Sequence, residues 1–172
     1  MIDFNEIRYS LRTILLGGEE VDLITTGETI GIRKDIYDPL YHTRPDAPAV
    51  RPIVTTATLA VEGRDFNPTS RAYWVREDFL PNVNSYWGNT VEQFIGIMQY
   101  TVFGKKNAGT EDVDTRVRLI CELFDRSLGS LSVDQYSNTS LIVDSVERAP
   151  ALIDEVWRYV PISLNIRTYN VH

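Results

Sequence analysis

Apolar positions at helical spacing mark two segments of the chain. Phe4, Ile7, Leu11, Ile14 and Leu15 fall on one stripe, which predicts a helix over about residues 3–16. Asp3 and Glu6 make a capping-box-like start, Gly17-Gly18 a stop, and Arg8 and Arg12 occupy the polar face. So short a helix with one apolar face must dock, either on its own domain or on a neighbouring subunit. The second stripe, Val113, Val117, Ile120, Cys121, Phe124 and Leu128, predicts a helix over about 110–128. Thr110 is its expected N-cap, Glu111 and Asp112 suit the positive end of its dipole, and Gly129 ends it.

Period-two patterning predicts strands elsewhere. In residues 53–61, Ile53, Ala57, Leu59 and Val61 face one side and Thr56 and Thr58 the other. Ala72–Arg76 reads as a strand closed by Leu80-Pro81-Asn82, and Glu92–Phe103 as a longer one, in which Gly96 signals a bulge or a close backbone approach. Two more strands are expected at about 139–147 and 156–168. In the last, Val156, Val160, Ile162, Leu164 and Ile166 point one way and Arg158, Ser163, Asn165 and Arg167 the other. Pro161, lacking an N–H, places that strand at a sheet edge or marks a bulge. Residues 19–52 are irregular. Short strands could lie at 21–25 and 29–32, and then Pro39, Pro45, Pro48 and Pro52 crowd into a proline-rich arm, either partner-contacting or disordered. The order of helix, strands, helix, strands implies an α+β domain spanning 1–172, a largely antiparallel sheet with both helices on one face.

Charge and composition then narrow the chemistry. The 172 residues carry a net charge of −7, spread evenly along the chain, which disfavours binding to nucleic-acid phosphates. Cys121 is the single cysteine, so no intramolecular disulfide or cysteine zinc site can form, and it reads as a small buried hydrophobe. No signal peptide and no run of about 18 apolar residues is present, so the expectation is a soluble protein made in a cytoplasm. The two histidines, His42 in the arm and His172 at the end, stand where geometry is held poorly, which argues against a catalytic triad. Gly104-Lys105-Lys106 lacks the remaining residues of a P-loop, and Glu111–Asp114 lacks the alternating oxygens of a calcium loop. Glu19-Glu20-Asp22 and Asp154-Glu155 read as solvated loop charges. The expectation is a non-enzyme with no catalytic, cofactor or metal residues. Fourteen arginines against three lysines, with nine tyrosines and three tryptophans, suit protein contact. Two of the three lysines are adjacent in the loop 104–109, which is either a solvated turn or a contact with an acidic partner surface through Lys105, Lys106 and Asn107.

An ordered set of landmarks is more specific. Phe66-Asn67-Pro68 precedes Tyr73-Trp74-Val75-Arg76 and Phe79-Leu80-Pro81. Phe94–Phe103 (FIGIMQYTVF) follows, then a Gly/Lys loop and an amphipathic helix, and finally Glu155–Leu164 (EVWRYVPISL). This order resembles the tail terminator family of long, non-contractile-tailed bacteriophages, over residues 3–16 and about 58–168. The segment 19–57 is much longer than that family's usual connection. The resemblance implies a structural virion protein. It would form a homo-oligomeric ring, a hexamer, on the head-proximal end of the tail tube, stop polymerisation, and present a joining surface to the head connector. The expected partners are the chain itself, the major tail tube protein and a neck protein, with DNA passing through the ring without specific binding and no membrane contact. Assembly would take place in the bacterial host cytoplasm. A head-completion or other neck protein is the alternative, and an unrelated cytoplasmic binding module or small enzyme the third reading.

Overall fold

The computed structural model describes residues 4–16, 54–82, 85–87, 91–125, 131–132 and 140–171. The proline-rich arm, the two short strands expected before it, Leu128, Gly129 and both histidines lie outside the described residues.

Helix α1 (Phe4–Leu15) is followed by strands β1 (Leu59–Ala60), β2 (Tyr73–Pro81), β3 (Ser85–Trp87) and β4 (Val91–Lys105). Helix α2 (Glu111–Asp125) precedes β5 (Leu131–Ser132), β6 (Ser140–Arg148), β7 (Leu152–Ile153) and β8 (Trp157–Val171). The sheet order is β1-β2-β4-β8-β6-β5, with β3 on β4 and β7 on β8. All pairs are antiparallel except β1–β2. The architecture is α+β, as the order of elements implies. Its axis is the β4–β8 ladder, unbroken from Val91↔Val171 to Lys105↔Trp157.

Strand parity sorts the side chains. The even residues Phe94, Met98, Tyr100 and Val102 of β4 and Val160, Ile162, Leu164 and Ile166 of β8 are buried in one core with Val75 and Phe79 of β2. The two helices among the described residues cover that face. Ile7, Leu11 and Leu15 of α1 and Val113, Val117, Ile120 and Phe124 of α2 enter the same cluster, so the apolar stripe of α1 docks within its own chain. Phe4 packs on Phe94 and Phe79 with ring centroids 4.9 and 5.8 Å apart, and Tyr100 stacks on Phe124 at 5.7 Å. Cys121 is only partly buried, at the edge of the core. Gly96 sits in unbroken register and makes a close approach rather than a bulge: a Cβ there would collide with the ring of Phe94.

Several expectations are corrected. Residues 54–58 form no strand. Thr58 closes a turn instead, with its Oγ1 accepting from the Thr55 N–H at 3.0 Å and donating to the Thr55 carbonyl at 3.1 Å. A threonine that satisfies the backbone locally competes with ladder pairing, and Leu59 and Ala60 are both buried rather than alternating. Strand β4 runs on through Gly104 and Lys105, so the loop is two residues shorter than expected; Gly104 lies so close to Val113 of α2 that no Cβ fits. Pro161 lies in an inner strand with no bulge at its position. Its carbonyl accepts from Ala149 N–H at 2.9 Å, so its missing donor faces the break between the end of β6 and the start of β7. The bulge of β6 falls instead between Val143 and Ser145. Val156 precedes β8 and is exposed. Arg158 lies on the helix-covered side, where it meets Asp114 of α2 at 3.3 Å.

Arg12 also departs from its expected place on a polar face. It is buried, and its guanidinium donates two hydrogen bonds to Glu77, Nε to Oε2 at 2.9 Å and Nη2 to Oε1 at 2.5 Å. Glu77 stands on the covered face of β2, and a carboxylate buried there needs a cation, which α1 delivers. Burial alone would lower the Arg12 pKa, but the hydrogen bond and charge of Glu77 outweigh it and hold it above its ordinary value. Tyr100, opposite Glu77 in the ladder, is fully buried and its hydroxyl has no hydrogen-bond partner among the described residues. Burial, then the charge of Glu77, push its pKa well above the usual 10.0, opposed by Arg12.

Two measurements check this cluster. Arg12→Met leaves Glu77 buried and unpaired and should lower the unfolding free energy by about 3–5 kcal/mol in urea titrations, most of it regained in Arg12→Met with Glu77→Leu. For Tyr100, the unfolded phenol loses its proton near pH 10 while the buried one keeps it, so the folded state loses stability as pH rises above about 10. Tyr100→Phe should leave neutral-pH stability unchanged or higher and move the alkaline unfolding midpoint upward.

Candidate interaction surface

The second face of the sheet carries the odd residues of β4 and β8 and the even residues of β2, opposite both helices. One end of it is aromatic. Trp74, Phe103 and Tyr159 are cross-strand neighbours on β2, β4 and β8, and Leu152 of β7 extends the row. Trp74 and Phe103 stack at 3.9 Å and 6°, Phe103 and Tyr159 at 5.1 Å, and Phe66 and Trp157 pack on Trp74 at 5.3 and 6.0 Å. The Arg76 guanidinium lies 5.6 Å from the Phe103 ring centroid. Such stacked pairs contribute on the order of 1 kcal/mol each beyond their burial. They stiffen this end of the sheet without a helix above it.

The middle of the face is polar. Asn165 donates to Ser145 Oγ at 2.7 Å and to Glu147 at 2.8 Å, and Arg76 pairs with Asp78 at 2.7 Å. Towards the other end Leu80 and Ile95 are 51% and 45% exposed, with half-buried Ile97 directly opposite Leu80. Arg167, opposite Ile95, is paired with Asp144 at 3.0 Å.

Lys105, Lys106 and Asn107 lie at the aromatic end. All three are exposed, and no hydrogen bond or ion pair of their side chains is present among the described residues. Their backbone is anchored: Lys106 N–H donates to the Val156 carbonyl at 3.0 Å and Ala108 N–H to the Lys105 carbonyl at 3.0 Å. Gly109 takes φ of 88°, a conformation few side chains tolerate, before Thr110, whose carbonyl accepts the first helical bond from Asp114. The lysine loop is therefore joined to the β7–β8 hairpin.

That hairpin has no counterpart in the candidate residues read from the sequence. Leu152, Ile153 and Val156 are 48%, 61% and 56% exposed, three large apolar side chains within five residues. Asp154, expected to be a solvated charge, instead builds the turn: Oδ1 accepts from Val156 N–H at 2.8 Å and Trp157 N–H at 2.6 Å, while its own N–H donates to the Trp157 carbonyl at 2.9 Å. The signal was an aspartate two residues before an apolar pair, the spacing of an Asx turn. Glu155 remains exposed at the tip. On the helix side, Asp114 binds both Arg148 at 2.7 Å and Arg158 at 3.3 Å, closing the floor of an open groove between α2 and β6. Among the described residues no group of three or more His, Cys, Asp or Glu could hold a metal ion, and no helix is long and apolar enough to cross a membrane.

No family model and no curated protein matches the chain. A solved structure does, that of a protein whose name carries no functional description, at 15% identity and a TM-score of 0.54, covering 100% of this chain and 97% of that one. At that identity the likeness shows the fold alone.

The lysine pair offers a direct check on its exposure. Lys105→Glu with Lys106→Glu should leave the melting temperature within about 2 °C of the parent in a thermal scan, because unpaired surface charges contribute little to folding.

Proposed function

We propose that this chain is a structural protein of a long-tailed phage that forms the ring closing the head-proximal end of the tail tube. The carrying observation is the order of landmarks from Phe66 to Leu164, which resembles the tail terminator family. The physics of the surface supports the reading. A terminator must offer one surface to the tube and a different one to the neck, and among the described residues both helices pack on one face of the sheet and none on the other. Closed rings of identical subunits need two unlike patches per subunit, because each contact is heterologous. Exposed apolar side chains stand at Leu80 and Ile95 and again at Leu152, Ile153 and Val156. The net charge of −7 favours a channel through which DNA phosphates slide without sticking.

The test is reconstitution. Added to polymerising tail tube protein, the chain should stop growth and yield short tubes, each with a disc at one end in negative stain. Label along the whole tube would overturn the terminator reading, and a disc found only on heads would assign the chain to the neck. The variant Lys105→Glu with Lys106→Glu should cap tubes or join heads less efficiently, with the larger loss at low salt, where surface charges are least screened.

A further inference from the structure

Five large apolar side chains are more than 40% exposed among the described residues, and they fall into two clusters. Leu80 and Ile95 sit on the open face of the sheet, around Ile97. Leu152, Ile153 and Val156 form the β7–β8 hairpin beside the lysine loop. The clusters are far apart. Ile95 and Lys105, the strand residue nearest the hairpin, are ten positions apart on β4, a separation of about 33 Å at strand rise. Neither cluster can cover the other within one copy, since both stand on the same rigid ladder.

Their charges complement each other. Glu155 projects at the hairpin tip with no ion pair among the described residues, and Arg167, paired with Asp144 of its own copy at 3.0 Å and still 40% exposed, stands opposite Ile95 in the sheet face cluster. Lys105 and Lys106 flank the hairpin with no ion pair among the described residues, and the sheet face carries Asp78 and Asp144, paired with Arg76 and Arg167, and Glu147, which accepts from Asn165. The hairpin is also stiff, braced by the three Asp154 hydrogen bonds and by Trp157 against Trp74, so it loses little freedom on docking.

We infer that the β7–β8 hairpin of one copy docks on the Leu80–Ile95 sheet face of the next, with Glu155 meeting Arg167 of that neighbouring copy. This rests on the reading of the chain as a ring-forming protein and names the contact that builds the ring. The contact is head-to-tail. Each copy gives its hairpin in one direction and its sheet face in the other, so the chain of contacts grows until it closes.

Cysteine cross-linking tests it in a Cys121→Ser background. The doubly substituted Leu80→Cys, Ile153→Cys protein is treated with a short bismaleimide, once alone at high concentration and once bound to tube ends. The expected product is a ladder running past the dimer. Each singly substituted protein should stay monomeric on denaturing gels, and a mixture of the two should stop at dimers. Both positions are exposed, and circular dichroism confirms that the variants fold. No ladder under either condition, or dimers from a single variant alone, overturns the inference. Glu155→Arg should reduce the ladder several-fold. The outcomes separate from those of tube capping. Capping without a ladder leaves the terminator reading standing and removes this contact, and a ladder without capping does the reverse.

Discussion

The β4–β8 ladder is the constraint on which the rest of the molecule depends. Fifteen paired positions run from Val91↔Val171 to Lys105↔Trp157 without a shift. Because the side-chain period of a strand is two, this one register decides which residues are core and which are surface, and a slip of a single residue would exchange the faces. It places Phe94, Met98, Tyr100 and Val102 beside Val160, Ile162, Leu164 and Ile166 under the helices, and sends Ile95, Phe103, Tyr159 and Arg167 to the open side. Strands β3 and β7 are short extensions laid along the same two central strands. The outermost strands β1 and β5 are only two residues long and pair with two positions each of β2 and β6.

A buried ion pair joins α1 to the sheet. The Arg12–Glu77 pair joins residues 65 positions apart in sequence and is almost wholly withdrawn from water. Such a pair contributes little net stability over a well-packed apolar substitute, because desolvation offsets the Coulomb gain. Its consequence here is positional. A helix held by an apolar stripe alone could slide by a turn, whereas two directed hydrogen bonds to one carboxylate admit a single placement. Tyr100, unpaired and buried beside it, makes that corner sensitive to alkaline pH.

Stiffness and exposure meet at the opposite corner. Stacked aromatics, a proline at a break in pairing, and an aspartate-closed turn hold the β7–β8 hairpin and the lysine loop together. The apolar side chains there gain nothing from the fold that leaves them in water. A contact surface explains them better than folding does, and the proposed head-to-tail contact would pair them with the unlike cluster on the sheet face.

The elements were legible where one local pattern dominated. The stripes of α1 and α2, the long alternation of β4 and β8 and the α+β order all follow from periodicity, since burying one face of an element demands its repeat in sequence. Lys105, Lys106 and Asn107 were legible as exposed for the same reason, being polar between two apolar runs. Local pattern failed where a partner distant in sequence made the choice. Arg12 reads as surface until Glu77 is placed opposite it, and Pro161 reads as an edge residue until β6 is seen to end beside it. Thr55–Thr58 reads as part of a strand, yet the Thr58 hydroxyl, bonded to the backbone of Thr55, closes it into a turn. The sequence by itself determined which segments must bury a face. Only the tertiary structure decided which charges are buried, which apolar residues stay in water, and that the lysine loop and the hairpin form one surface, because those outcomes depend on which strands become neighbours, and neighbours are set by the ladder rather than by chain order.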